Sequence, residues 1–524
     1  MTGGPDCWWL RTHLRLLLTC TLVLGMFPAA GFGREVDEVR RLSQAPPAPA
    51  TSGTGAGRGL ALEAPAGADA RAGERSSEPA QSRDRGLAPP RAAPPWGESK
   101  DYLLPALEIV GLDTLLNLFD RVYFGCCEYH SNLSTIRRNL RRSWGVDSDD
   151  FTINQLGHPY QGSMYHGFAR ASGLSYWEAN AYTFLGSAMW EIAGERTRPS
   201  RNDQISTGIG GSFLGEALFR MANLWLEQGR GSPFWREVAA AAISPPVGFN
   251  RLAFGSRFDG IFSSRDAAYD SRLQVGMARA VQNRPGTATQ IQRNESMLDF
   301  SLEYGLPGKP GYDYRRPFDY FSFQAGLSSA IGIESVSTRG LLLGKDFKVG
   351  NRYDGLWGLY GSYDYLAPQI FRLASTALSI GTTGEWRLSD SVALQGTALL
   401  GVGYASVSTL RQIANERANS YGTAPQASIA LRATMGDRLA VDLSAREYFV
   451  SGISTGNREG HDNISRWDAW ITWRVQRQHA ISLRYQSLRR DAAFPILGER
   501  SQRRGTVGIF YTLLGRDRFG IASQ

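Results

Sequence analysis

The sequence predicts an α+β protein, with a periplasmic or plug-like helical domain followed by a transmembrane antiparallel β-barrel of about twelve strands. Three observations predict it. From about Leu273 onward, apolar and polar residues alternate with period two: Leu298, Phe300, Leu302 and Tyr304 against Asp299, Ser301 and Glu303. One apolar and one polar face per strand is what a barrel with lipid outside and water inside requires. Between residues 101 and 255 the apolar spacing is helical instead. The chain is also rich in glycine (59) and in Trp, Tyr and Phe (13, 21 and 24), which suits aromatic girdles and closely packed strands. A mean hydropathy of −0.28 argues against a bundle of helical spans. It does not exclude a barrel, which commits only alternate residues to lipid.

The amino terminus reads as an export signal over residues 1–33. Arg11 and Arg15 precede the apolar run Leu16 to Phe27, and small residues from Ala29 to Gly33 follow, the layout of a secretory leader. That run is too short for a membrane anchor. Residues 34–100 read as a disordered linker, because 41–100 contain 14 Ala, 9 Pro, 8 Gly and 6 Ser and cannot bury enough apolar surface to offset their ordering entropy. Beyond the leader only Cys126 and Cys127 remain. Their spacing fits no zinc pattern, so they read as structural thiols.

The formal charge of +8 suggests a polyanion partner at first. Only Lys100, Lys309, Lys345 and Lys348 are lysines, and the arginines are scattered along the chain. A phosphate-binding face needs them gathered, so no nucleic-acid partner is expected.

The helical domain is expected over 101–255. Helices are predicted at Tyr102 to Phe124, Tyr176 to Glu195, Ser212 to Gln228 and Pro233 to Ile243. Among them runs a dense polar string from Asn154 to Gly162, continuing through His166, Arg170, Glu191, Glu195 and Ser200 to Asp203, and closing with Glu216 and Arg220. Glu191 and Glu195 lie four apart and share a helix face, as do Glu216 and Arg220. A carboxylate among apolar neighbours must be paired or hold its proton, which is also the setting of a general acid or base. Two readings follow. In one, His158, His166, Glu191 and Glu195 form a catalytic site, and such a set of histidines and carboxylates could hold a divalent metal. In the other, Asn154, Gln161, Arg170, Ser200, Asp203, Glu216 and Arg220 form a polar network that fixes the helices in register. Ser200 to Asp203 after Pro199 looks like turn and cap chemistry. Gly208 to Gly211 lacks the Lys-Ser/Thr of a phosphate loop and is predicted to be a turn. No cofactor other than that metal is expected.

The segments Asn154-Gln-Leu-Gly-His-Pro-Tyr-Gln-Gly162, Gly186-Ser-Ala-Met-Trp-Glu191, Pro199-Ser-Arg-Asn-Asp203 and Gly215-Glu216, in that order, resemble the bacterial domain of unknown function number 3943. The resemblance covers about Leu133 to Leu226. It implies an envelope protein with a β-rich C-terminal part, and no established activity.

The barrel is expected over 270–515, with strands starting near 272, 296, 319, 335, 356, 371, 391, 422, 438, 463, 479 and 504. Short connections (Ser389-Asp390, Met435 to Asp437, Gln476 to Gln478) alternate with long ones (Leu410 to Tyr421, Ser451 to Asp462, Asp491 to Arg503). An even strand count with short turns on the periplasmic side leaves both termini and the helical domain in the periplasm. Leu306 to Asp319 breaks the alternation. The functional expectation is an outer-membrane barrel with a role in envelope structure, assembly or gated passage, its partner being outer-membrane lipid. The alternative is an envelope lipid or peptidoglycan hydrolase or transferase using the His/Glu site.

Overall fold

The computed structural model describes residues 100–123, 127–147, 149–228, 232–258, 262–283, 290–409, 419–452, 460–494, 498–515 and 519. The leader, the linker up to residue 99 and Cys126 lie outside them, and so does the side chain of Cys127.

Among the described residues eight α-helices come first: α1 (Leu103–Tyr123), α2 (Leu133–Asn139), α3 (His158–Ala171), α4 (Tyr176–Met189), α5 (Arg201–Ile205), α6 (Gly211–Glu227), α7 (Pro233–Ile243) and α8 (Pro245–Phe254). Short polar side chains start most of them. Asn132 and Ser175 each close a reciprocal capping box, with Thr135 and Glu178, and Ser200 and Ser232 cap α5 and α7. Three π-turns extend these helices: Ile153–Gly157 leads into α3, Trp190–Gly194 ends α4, and Ser206–Gly210 joins α5 to α6. The run predicted as a turn at Gly208 to Gly211 is therefore the junction of a π-turn with α6. Helix α3 was not among the helices predicted, and Pro159, Gly162 and Gly167 all lie within it. Here Pro159 sits in the first turn, where no N–H is needed. Gly162 lets α3 approach the Ser206–Gly210 turn, where a Cβ would come within 2.1 Å of the Thr207 carbonyl oxygen.

Twelve strands follow and close into one antiparallel barrel, each pairing with its sequence neighbours and β12 with β1. They are β1 (Tyr269–Asn283), β2 (Gln290–Tyr304), β3 (Phe321–Ser328), β4 (Gly332–Val349), β5 (Tyr353–Leu366), β6 (Phe371–Ser389), β7 (Val392–Thr409), β8 (Asn419–Met435), β9 (Leu439–Gly452), β10 (His461–Gln476), β11 (His479–Phe494) and β12 (Gly498–Leu514). The start of β1 pairs with the end of β12, so the barrel opens and closes at the end that carries the short turns. One expected long loop is shorter than predicted: β11 and β12 run on through most of 491–503, leaving 495–497 between them.

Alternation along the strands separates two faces. Outward residues such as Ile380, Leu400, Ile429, Ile471 and Ile509 are exposed and apolar, the face a membrane barrel turns to lipid. Inward residues are charged and reach across the lumen between strands that are not neighbours. Arg432 on β8 bonds Asp270 on β1 at 3.0 Å and Glu303 on β2 at 3.2 Å. Arg484 on β11 meets Asp299 on β2 at 2.9 Å, and Arg504 on β12 meets Glu295 on β2 at 2.7 Å and Glu334 on β4 at 2.8 Å. A luminal cavity among these side chains holds about 120 Å³. Phe519 packs with the inward residues Ala440, Ala480 and Leu514, with the Arg272 guanidinium 5.7 Å from its ring.

The lumen is thus taken by side chains, and the helices are not a plug. They lie against the outer wall. Outward residues of one sector (Leu302, Tyr304, Phe321, Phe323, Tyr363 and Tyr365) are buried in a shared core with Phe151, Phe213, Leu214 and Leu218 of the helices. The irregular β2–β3 connection explains itself here. Phe318 stacks between Tyr176 and Phe213, with centroids at 5.9 and 6.2 Å, and Asp319 takes the Arg220 guanidinium at 3.0 Å. Its length serves the helices, not the barrel.

Contact with the wall is close enough to test. At Gly361, on the outward face of β5, a Cβ would meet the Phe213 ring at 2.4 Å. Gly361→Ala is expected to loosen the helices by about 1–3 kcal/mol, the usual cost of overpacking. Limited proteolysis should then cut within 101–255 faster than in the parent, while the closed barrel keeps its heat-modifiable gel mobility.

Candidate functional site: a buried histidine–carboxylate cluster

The polar string folds into two separate clusters. In the first, Glu216 on α6 is fully buried and is held by three partners. Its Oε2 accepts from Arg170 Nε at 2.7 Å and from His166 Nε2 at 3.1 Å, and its Oε1 accepts from Arg220 Nε at 2.8 Å. Burial alone would raise its pKa, but the Arg170 and Arg220 guanidiniums and His166 outweigh that and hold it well below the usual carboxylate range. Burial lowers the His166 pKa, so the ring is neutral and Nε2–H donates. The Arg170 guanidinium also lies 4.7 Å from the Phe219 ring. Each buried charge here has its counter-charge.

The second cluster has none. The ligand atoms of His158, Glu191 and Asp203 lie within 4.8 Å of one another, and all three residues are buried. Each π-turn contributes a wall. Ile153–Gly157 carries Asn154 and leads into His158, Trp190–Gly194 carries Glu191, and Ser206–Gly210 carries Thr207, whose Oγ1 lies 3.3 Å from His158 Nδ1. A π-turn pushes one extra residue out of helical phase, and such insertions concentrate at functional sites. Around the cluster, Ser200 N–H donates to Glu191 Oε2 at 2.7 Å and Asn202 Nδ2 to Asp203 Oδ1 at 2.9 Å. Asn154 Nδ2 donates to Asp147 Oδ1 at 2.8 Å. The barrel closes it: Tyr421, outward on β8, accepts from Asn154 and Asn202, each at 3.2 Å.

Among the described residues no Lys or Arg forms an ion pair with Glu191, Glu195 or Asp203. The physical chemistry follows from that. Burial, and then the charge of Glu195, push Glu191 up to about 9, although the Ser200 N–H pulls the other way. Burial, Asp147 and Glu191 hold Asp203 well above the carboxylate range. Burial brings His158 down to about 4. At neutral pH the imidazole is therefore unprotonated and the two acids carry protons. A site of this kind is short of positive charge and offers one nitrogen and two carboxylates, the donor set of a divalent transition metal.

The four candidate catalytic residues thus separate. His158 and Glu191 meet. His166 belongs to the Glu216 cluster. Glu195 turns aside, with Oε1 accepting from Trp190 Nε1 and Oε2 from Thr197 Oγ1, both at 2.9 Å, and burial raises it to about 7. Of the residues assigned to the network reading, Arg170 and Arg220 bind Glu216, whereas Asn154, Ser200 and Asp203 stand at the His158 cluster. Gln161 instead donates to Asp113 on α1, at 3.4 Å. Asn202 stood in the polar string without a role of its own. Sequence reasoning missed Asp147, Thr207 and Tyr421, the first two lying beside that string. Tyr421 is 267 residues from Asn154, and its phenol reads as one more outward aromatic until the helices are laid on the wall.

Residues 143–246 match the model of a domain of unknown function, DUF3943. That span takes in both clusters. No curated protein matches the sequence. Among solved structures, the NanC porin is similar at 9% identity over 45% of this chain and 98% of its own, with a TM-score of 0.23. The outer-membrane channel DcaP of Acinetobacter baumannii is similar at 9% identity over 48% and 98%, TM-score 0.22. The translocator domain of the autotransporter NalP from Neisseria meningitidis is similar at 11% identity over 47% and 88%, TM-score 0.22.

Proposed function

We propose that this chain is an outer-membrane protein whose barrel is a closed anchor, and that it serves envelope structure or assembly through the helical domain on its wall. The single observation that supports this reading is the set of arginine–carboxylate pairs bridging the lumen, Arg432, Arg484 and Arg504 above all. Each is a desolvated pair whose separation would cost several kcal/mol, so passage would require several to break together. Short turns and both barrel ends on one side suit a periplasmic placement of that side. The test is conductance of the purified protein in planar bilayers. The parent should give no steady open channel, and the double variant Arg432→Ser, Arg484→Ser should give one. A steady conductance of the parent would sink the anchor reading in favour of passage.

A second reading is favoured by the His158–Glu191–Asp203 cluster. There the helical domain binds a divalent cation and acts as a hydrolase or transferase on an envelope lipid or peptidoglycan. His158, Glu191 and Asp203 would be the ligands, and the cation would supply Lewis-acid activation of a water. Asn202 and Tyr421 would orient the ligands, as outer-shell partners do.

A further inference from the structure

Helix α1 is built inside out. Leu103, Leu107, Val110, Leu115, Leu118 and Val122 are 48–78% exposed, and their spacing of three, four and five residues puts them on one face. The one charged residue at that azimuth, Arg121, folds its guanidinium back onto the Tyr129 and Ser131 carbonyls. Glu108, Asp120 and Arg121 are half-buried and Asp113 is buried, its Oδ1 accepting from Tyr165 and from Gln161. A helix bathed in water shows the opposite pattern, charges outward and leucines inward.

The wall explains which medium this face meets. The helices cover Tyr363 on β5, Thr376 on β6 and Tyr421 on β8, all outward positions. On the same strands the outward residues Trp357, Ile380 and Ile429 stay exposed at 58, 67 and 60%. The helical domain therefore occupies part of the layer around the barrel that lipid would otherwise fill. Exposed apolar residues continue over its other helices, with Leu185 on α4 at 68% and Leu252 on α8 at 88%. No helix among the described residues is long and apolar enough to cross a membrane, so α1 would not span alone. Its charged residues are turned toward the protein, and its apolar face is what remains for the surroundings.

We propose that the outer face of α1 lies against the acyl chains of the same membrane that the barrel crosses, as a continuation of the barrel's apolar belt. This rests on the membrane reading of the barrel, and the experiment separates the two. A photoreactive benzoylphenylalanine is placed singly at Leu107, Leu115, Ile471 or Asp437 of the full chain, and each variant is reconstituted in phosphatidylethanolamine–phosphatidylglycerol vesicles. Heat-modifiable gel mobility selects folded protein. After illumination, adducts are identified by mass. Ile471 on the belt is expected to give lipid adducts, and Asp437, exposed in the β8–β9 turn, to give background. Leu107 and Leu115 should match Ile471. If they give background while Ile471 reacts, or if they cross-link to a second copy of the chain, the proposal is overturned. If Ile471 itself gives background, the membrane reading of the barrel fails, and the proposal with it.

Discussion

Glu216→Ala is expected to unfold the helical domain while the barrel stays closed. The carboxylate is fully buried and faces two guanidiniums and an imidazole, Arg170 at 2.7 Å, Arg220 at 2.8 Å and His166 at 3.1 Å. Removing it leaves Arg170 without a carboxylate partner, and Arg220 with Asp319 alone. Breaking a buried pair from one side costs about 3–5 kcal/mol because an uncompensated charge remains in a dry interior, and that is a large share of a domain's stability. Glu216→Gln should cost less, since an amide oxygen still accepts from the guanidiniums. The measurement is near-UV circular dichroism and protease resistance of 101–255, beside gel mobility of the barrel. A stable Glu216→Ala protein would mean that the cluster does not hold α3 and α6 together. The pH dependence has a definite sign. The folded pKa of Glu216 lies below its ordinary 4.5, so its stabilisation is present above that value and is lost as pH falls below it.

The barrel was legible because its signal is repeated twelve times. Period two depends only on which side of a strand is wet, and each predicted start falls within about six residues of the observed one. Helices α4, α6 and α7 were legible for the same reason, each having one apolar face. Helix α3 was not, because its glycines and Pro159 carry meaning only once Thr207 is seen packed on Gly162. Placement of the helices was the least legible feature. An outward Tyr363 reads the same whether its neighbour is a lipid chain or the Gln155 carbonyl that its hydroxyl meets at 2.5 Å. The outlying clue was the long β2–β3 connection, whose Phe318 and Asp319 have no use within a barrel. In the candidate site, residue types pointed to chemistry but not to partition. His158 and His166 lie two helical turns apart, on a similar face of α3. Which of them finds arginine-bound carboxylate and which finds protonated acid depends on α6 and on the π-turns, and no local pattern encodes that.

Divalent cation binding at His158, Glu191 and Asp203 is expected to strengthen as pH rises from 6 towards about 9, the region to which Glu191 is raised. The reason is proton competition. Below that range Glu191 holds a proton, as does Asp203, whose pKa is also raised. A cation must displace both, so each binding event releases protons to the buffer. His158 does not compete, since burial keeps its imidazole neutral above about 4. Calorimetry of the detergent-solubilised full chain with Zn²⁺ or Mn²⁺, in buffers of different ionisation enthalpy, reads affinity and proton release together. His158→Ala, Glu191→Gln and Asp203→Asn should each abolish binding, whereas Asn202→Ala, one hydrogen bond further out, should weaken it by about 10–100-fold. His166→Ala is the control that divides the two clusters. It touches Glu216 alone among the charged groups, so in folded protein it should leave cation affinity unchanged. If the parent binds no cation at pH 8, or if His166→Ala and His158→Ala weaken binding alike, the metal reading is wrong. Glu191 and Asp203 would then be protonated acids that hold Ser200 and Asn202 in place, and Asn202 in turn bonds Tyr421 on the wall.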